Sequence, residues 1–288
     1  ILGGRHRRDT MQYLKEQNLP LDVRGKRRDY DLVVTCSDAI IQKNIRGKRL
    51  ILVQEGITEP EGIMFHLVRA LKLPRWLANT SVTGLSNAFD VFCVASGGYK
   101  ELFIHKGVIP NKIVVTGIPN FDNLAEVKGD AFPHENFVLA ATTPFRETMR
   151  PEIRPLFIKR CVEIADGRQL IFKLHPLEDA PRAIREIKRY APGALVYWRG
   201  DVNEMIAKAS VVITQQSTCT FVALAMGKEV HTDLDISQLK RLLPIQNGGT
   251  SACQIARVCR HLLNTPMPVL EQNRRRFRTK SFWDKIEI

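Results

Sequence analysis

Four short stretches of the chain combine residue types that handle protons and phosphates. Gln54-Glu55-Gly56 closes an apolar run. A carboxylate at the carboxyl end of a strand is well placed to take a proton from an acceptor hydroxyl, which makes Glu55 the candidate base. Glu59 and Glu61, on either side of Pro60, are read instead as acids at a helix start, where the helix dipole favours negative charge. Lys173-Leu174-His175-Pro176 closes a second apolar run. Proline confines the preceding backbone to extended geometry, which presents the His175 imidazole as a donor to phosphate or as an acid, with Lys173 beside it. Thr214-Gln215-Gln216-Ser217-Thr218 joins a strand to an apolar helix, Phe221–Met226. Ser217 or Thr218 is the expected N-cap there, and free N–H groups with hydroxyls at a helix start form an anion site. Four polar residues in succession exceed what a cap needs, so Gln216 joins Ser217 and Thr218 as candidate phosphate ligands. Thr142-Thr143-Pro144-Phe145-Arg146 adds hydroxyls and, in Arg146, a guanidinium suited to phosphate.

Three of these loops belong to the second half of the chain and together suit a nucleotide monophosphate or diphosphate. Neither G-x-G-x-x-G nor G-x-x-x-x-G-K-[ST] occurs, so dinucleotide oxidoreductase and P-loop chemistry lose their main support. A G-x-S-x-G elbow is also absent. No metal or cofactor is expected. Stabilisation of a leaving phosphate then rests on helix N–H groups, Arg or Lys, and His.

These loops must be carried by elements, and the 288 residues, 44% hydrophobic and 25% charged, suffice for two globular domains. Short β-rich runs alternate with longer amphipathic ones, the βαβ rhythm of parallel sheets covered by helices. In the first half strands are expected at Tyr30–Cys36, Leu50–Glu55, Asp90–Ala95 and Lys112–Gly117. Helices are expected at Glu61–Leu73, with Ile63, Met64, Leu67, Val68 and Leu71 at helical spacing, and at Gly98–Lys106. A polar stretch from Glu126 to Asn136 marks the boundary, giving an incomplete Rossmann-like domain at 1–128 and a nucleotide-binding Rossmann-like domain at 129–288. The second half repeats the rhythm with strands at Phe137–Ala141, Leu170–Leu174, Ala194–Trp198, Val211–Thr214 and Glu229–Thr232. Its helices are expected at Glu152–Ala165, Pro181–Tyr190, Asn203–Lys208, Ser217–Met226 and Ser251–Asn264. Ligand in such an arrangement binds at the carboxyl ends of the strands, between the domains.

Charge is uneven. Of the net +13, the ends supply +9, concentrated in Arg5-His6-Arg7-Arg8, Arg24-Gly25-Lys26-Arg27-Arg28 and Arg274-Arg275-Arg276-Phe277-Arg278. These clusters suit an anionic membrane surface or acidic glycan, while nucleic acid is not expected because no aromatic platform interleaves with them. No run of about 18 apolar residues suggests a transmembrane helix. The six cysteines lack any C-x-x-C pair, and no signal-peptide pattern opens the chain, so the expected compartment is the cytoplasm, peripheral to the inner membrane. The opening Ile1-Leu2-Gly3-Gly4 reads as a strand end running into a turn, so further residues are expected before it.

The motifs, in this order, resemble those of GT-B glycosyltransferases, specifically the branch with an acidic-Gly motif in the first domain and His-Pro plus Ser-Ser/Thr motifs in the second. That branch includes bacterial sialyltransferases and capsule sugar transferases. The stretch from Tyr99 to Asp122, with Lys112-Ile113-Val114-Val115-Thr116-Gly117-Ile118-Pro119-Asn120, also looks like the first-domain exit of CDP-glycerol transferases and UDP-N-acetylglucosamine 2-epimerases. The resemblance implies an α/β fold of two facing doubly wound domains and a metal-independent transfer of sugar from a CMP- or UDP-activated donor. The acceptor would be an envelope saccharide or a lipid-linked one. Glu55 would be the base, His175 would bind or protonate the leaving phosphate, and Ser217 and Thr218 would hold it. The motif usually carries two acids before its glycine, and here Gln54 occupies the first position. A CDP-glycerol-type transferase, a sugar-nucleotide epimerase and a catalytically inactive nucleotide-sugar binding module are the alternatives.

Overall fold

A computed structural model describes residues 5–58, 61–148 and 150–278. Nine strands, β1 (Leu32–Thr35), β2 (Arg49–Val53), β3 (Val91–Val94), β4 (Ile113–Val115), β5 (Val138–Ala141), β6 (Leu170–Lys173), β7 (Leu195–Tyr197), β8 (Val211–Thr214) and β9 (Glu229–His231), are described. The helices are α1 (Arg5–Glu16), α2 (Ile63–Leu71), α3 (Gly97–His105), α4 (Arg154–Ala165), α5 (Ala180–Tyr190), α6 (Val202–Lys208), α7 (Cys219–Ala225), α8 (Ile236–Leu242), α9 (Ser251–Asn264) and α10 (Met267–Arg278). All strand pairs are parallel, in two sheets ordered β1-β2-β3-β4 and β7-β6-β5-β8-β9. The chain thus has two Rossmann-like α/β halves, the first sheet with four strands.

The second sheet shows why its strands are legible as continuous apolar runs. Val138 and Ala140 of β5 face the cluster built with α4 and α5, while Leu139 between them faces the cluster that includes α6 and α7. Alternate side chains of one strand are buried on opposite faces, so no position is polar. In register, Ala141 aligns with both Lys173 and Thr214, and Lys173 with Tyr197. Consequently β5, β6 and β8 end at one level, and the loops after them open on one edge. The order changes direction beside β5, the switch point at which such sheets leave a crevice.

In the first half, α2 departs from expectation. Only Phe65 and Val68 are buried, whereas Ile63, Met64, Leu67 and Leu71 are exposed, so the stripe expected to cover the core mostly does not. Three helices carry no sequence expectation: α1 and α10 are rich in charge, and α8 is started by Asp235, whose carboxylate accepts from Ser237 and Gln238 N–H groups. The opening tetrapeptide, together with Glu59 and Pro60, lies outside the described residues.

The halves are joined by more than the linker. At Gly129, with φ +74°, a Cβ would sit 2.6 Å from the Glu204 carbonyl, so the chain is already pressed on α6 there. Beyond α8 the chain returns to the first half. Ile245 N–H donates to Ala95 O (3.0 Å), Ser251 N–H to Asp122 (2.7 Å), and Arg49 donates to the carbonyls of Leu262 and Thr265 (both 2.9 Å). Arg274 grips Asp90 through two 2.7 Å bonds. One member of a basic end is therefore an internal pin, while the side chains of Arg5, His6, Arg7 and Arg278 lie outside the described residues. Tyr99 of α3 packs edge-on to Phe221 of α7 at 6.0 Å, continuing one core across both halves.

Gly98 sits where α3 meets α8, and a Cβ there would collide with the Arg241 carbonyl oxygen. Alanine inside a helix ordinarily improves on glycine by about 0.5–1 kcal/mol. Here Gly98→Ala is expected to destabilise, by about 1–3 kcal/mol, because backbone cannot step aside as a side chain can. Thermal unfolding decides it: a raised midpoint would mean that the two helices are not in this close approach.

Candidate active site

Each candidate loop stands at a strand's carboxyl end. Glu55 follows β2 and is exposed, and its charge, after burial, helps push the Cys36 thiol up, which puts the carboxylate beside the end of neighbouring β1. Gln54 is 2% exposed and acts as a strut. Its Oε1 accepts from Ala95 N–H (2.9 Å) and its Nε2 donates to Gly56 O (2.8 Å). An ionised glutamate would set oxygen against the Gly56 carbonyl, so the amide at this position has a structural reason.

Gly56 accounts for the third motif position. A Cβ on it would come 2.7 Å from Thr218 Cγ2, so absence of a side chain lets the first-half loop lie against the second-half loop. Thr218 is exposed and does not cap α7 with its side chain. Ser217 Oγ accepts instead from Cys219 N–H at 3.3 Å. The helix also begins two residues later than expected, which leaves Gln216, Ser217 and Thr218 as loop. Behind them Thr214 and Thr220 hydroxyls pair at 2.8 Å, and Thr232 Oγ1 donates to Gln215 O at 2.7 Å.

His175 is half-buried. Burial first, then Lys173, pulls its pKa below the ordinary value, against the opposing pull of Glu178 and Glu147. Leu177 N–H donates to Nδ1 at 3.1 Å, and because a backbone amide can only donate, Nδ1 is unprotonated and the neutral ring carries its proton on Nε2. With the folded-state pKa lowered, the unfolded chain binds this proton first, so folding stability is full above the unfolded value and falls as pH drops through it. Lys173 is buried, its pKa lowered by desolvation, with Nζ donating to Leu174 O at 3.0 Å. In the sheet, β5 separates β6 from β8, so the two strands that lead to His175 and to Thr218 end about 10 Å apart, two strand spacings.

Arg146 does not stand free. Its guanidinium makes two bonds to Glu186 (2.7 and 2.8 Å) and faces Glu152 at 3.4 Å, so a phosphate would have to displace a carboxylate to reach it. Two residues that sequence reasoning passed over are better placed. Arg150 stacks over Phe145 (4.5 Å) and donates to Gln216 Oε1, tying the β5 loop to the β8 loop. Glu178, fully buried, accepts from Arg154, Thr142 and the His175 N–H. The H-P-x-E spacing carried a signal for the second; nothing in the sequence marked the first.

Two Asp-x-Asp runs occur, and three of their four carboxylates have partners within the protein. Asp29 pairs with Lys48, Asp233 with Arg160, and Asp235 caps α8. Among the described residues no group of three or more His, Cys, Asp or Glu is arranged to hold a metal ion. At the sheet's opposite edge a polar pocket of about 350 Å³ includes Lys208 and Lys228, which are bonded to Glu135 and the Ala207 carbonyl. No helix among the described residues is long and apolar enough to cross a membrane.

Two parallel sheets of four and five strands, flanked by helices and joined by a returning C-terminal arm, define a two-domain α/β fold of the GT-B type. Among solved structures the chain is similar to UDP-GlcNAc 2-epimerase from Neisseria meningitidis bound to UDP-GlcNAc, with 12% identity and TM-score 0.53 over 88% of this chain and 79% of that one. It is similar to the Methanocaldococcus jannaschii UDP-GlcNAc 2-epimerase in complex with UDP-GlcNAc and UDP, at 14% identity and TM-score 0.50 over 88% and 81%. A Listeria monocytogenes protein assigned as a UDP-N-acetylglucosamine 2-epimerase gives 16% identity and TM-score 0.52 over 89% and 78%. No protein-family model matches the chain. No curated protein matches it in sequence.

Proposed function

We propose that the protein is a metal-independent glycosyltransferase that moves a sugar from a CMP- or UDP-activated donor onto an envelope saccharide or lipid-linked acceptor. The observation that carries this reading is the approach of Gly56 to Thr218, which sets the loop bearing an exposed carboxylate against the hydroxyl-bearing loop of the other half. In this reading Glu55 takes the acceptor proton, and His175 Nε2–H donates to the leaving phosphate. Gln216, Ser217 and Thr218 hold that phosphate, with Lys173 behind the β6 loop, while Arg146, paired with Glu186 and facing Glu152, braces its own loop. A base and a proton donor must reach one sugar from different sides, and strands of two different sheets supply such sides. The nucleotide sugars held by the Neisseria and Methanocaldococcus structures support the ligand class. In this reading the reaction runs in the cytoplasm, peripheral to the inner membrane.

Thermal shift with CMP, CDP, UDP and GDP tests the ligand, since a molecule that binds only the folded state raises its midpoint. CMP or UDP is expected to stand apart from the others; equal weak shifts by all four would remove the reading. Turnover of UDP-GlcNAc without acceptor would favour an epimerase, and tight binding without turnover a binding module. Ser217→Ala combined with Thr218→Ala is expected to weaken nucleotide binding by about 1–3 kcal/mol, the usual loss for hydrogen bonds to a charged group. Titration calorimetry reads this directly, and an unchanged affinity would return both residues to a purely local role.

A further inference from the structure

We propose that Glu178 is a positioning residue for His175: its buried carboxylate fixes the turn in which a backbone N–H captures Nδ1, so that the imidazole offers Nε2–H to the cleft. The observations are geometric. Glu178 lies three residues after His175, and its Oε2 accepts both the His175 N–H (2.8 Å) and the Thr142 hydroxyl. Its other oxygen accepts from Arg154, which is itself fully buried. The Glu178 N–H donates back to His175 O at 3.0 Å, closing a turn around Pro176 and Leu177. Inside that turn Leu177 N–H reaches Nδ1 at 3.1 Å.

The carboxylate meets a guanidinium, a hydroxyl and an amide; the guanidinium and the amide can only donate, and a glutamine would turn an NH₂ toward one of these partners. Thr142 extends the device across the sheet. It follows β5, its N–H donates to Lys173 O at 3.0 Å, and the His175 N–H approaches its hydroxyl oxygen at 3.0 Å. The β5 and β6 loops are thereby locked together at the point where the imidazole emerges. A buried ion pair that served stability alone would have no need to enclose the backbone amide of His175.

The inference rests on the glycosyltransferase reading only for the identity of the ligand, because the tautomer is a property of the chain. The test is a pair of measurements on the full chain labelled with ¹⁵N-histidine. Two-bond ¹⁵N–¹H spectra report which ring nitrogen carries the proton, with a His175→Gln spectrum assigning the signal among the seven histidines. Calorimetric titration with CMP and UDP reports affinity. Unmodified protein is expected to show an unprotonated Nδ1 and a protonated Nε2. Glu178→Gln is expected to give a mixture of tautomers and at least about tenfold weaker nucleotide binding, with Thr142→Val shifting both in the same direction by less. A folded Glu178→Gln protein with the His175 tautomer unchanged overturns the proposal. Should that variant not fold, Thr142→Val decides by the same spectrum, and an unchanged tautomer there overturns it equally. Tautomers that shift in a protein binding neither nucleotide uphold the positioning role and remove the ligand reading.

Discussion

Replacing Arg154 with methionine is expected to lower folding stability by about 3–5 kcal/mol, the range found when one partner of a buried ion pair is removed. Arg154 is 1% exposed and faces both Glu178 and Glu152, whose side chains are equally inaccessible. Burial already raises the Glu152 carboxyl, and Arg154 is the first cation that opposes this. Without it, two carboxylates about the same guanidinium site are left to repel each other in a poorly solvated region. The Glu152 carboxyl, already raised, rises further above its unfolded value without that opposing cation, so the native state holds extra protons and the deficit grows as pH rises. Urea unfolding at pH 5 and pH 8 measures it, with the larger loss expected at pH 8. A loss below about 1 kcal/mol, or the same loss at both pH values, would show that water reaches this cluster.

Under the proposed transfer, Glu55→Gln is expected to lower turnover by about 10²–10⁴, the usual contribution of general acid–base catalysis, with donor affinity nearly unchanged. Glu55 is exposed at the end of β2, so an amide of the same shape removes the base and little else. His175→Ala is expected to differ in kind. In the proposed reading the imidazole donates to the leaving phosphate, so its loss weakens donor binding as well as turnover. Steady-state kinetics with an independent donor titration separates the two. Equal losses of affinity in both variants would place Glu55 on the donor, and undiminished turnover in Glu55→Gln would end its assignment as the base.

The sequence and the structure part company at identifiable positions. All nine expected strands are present, and the order of the second sheet is that of a doubly wound domain. Strands buried on both faces are written as unbroken apolar runs bounded by loops, a property of consecutive residues. The placement of Glu55, His175 and Ser217 after strands follows from the same reading. Helix α2 misled because periodicity shows that a helix has an apolar stripe but not whether anything covers it. Helices α1 and α10 went unrecognised because charge outweighs apolar residues in them.

Local sequence, then, determined the fold class, the two sheets and the strand ends that carry chemistry-bearing loops, because each depends on residues within one short segment. Tertiary structure alone decided what those loops do to one another. Gln54 is a strut only because Ala95 follows the end of the next strand, Gly56 must lack a side chain only because Thr218 comes to it from the other half, and Arg146 is engaged because Glu186 lies on a distant helix. The His175 tautomer depends on Leu177 beside it, but the turn that brings the two together is held by Arg154 and Thr142, residues 21 and 33 positions away. Hydrogen bonds and ion pairs act over a few ångströms, and which groups come that close is set by the packing of whole elements, which no spacing along the chain records.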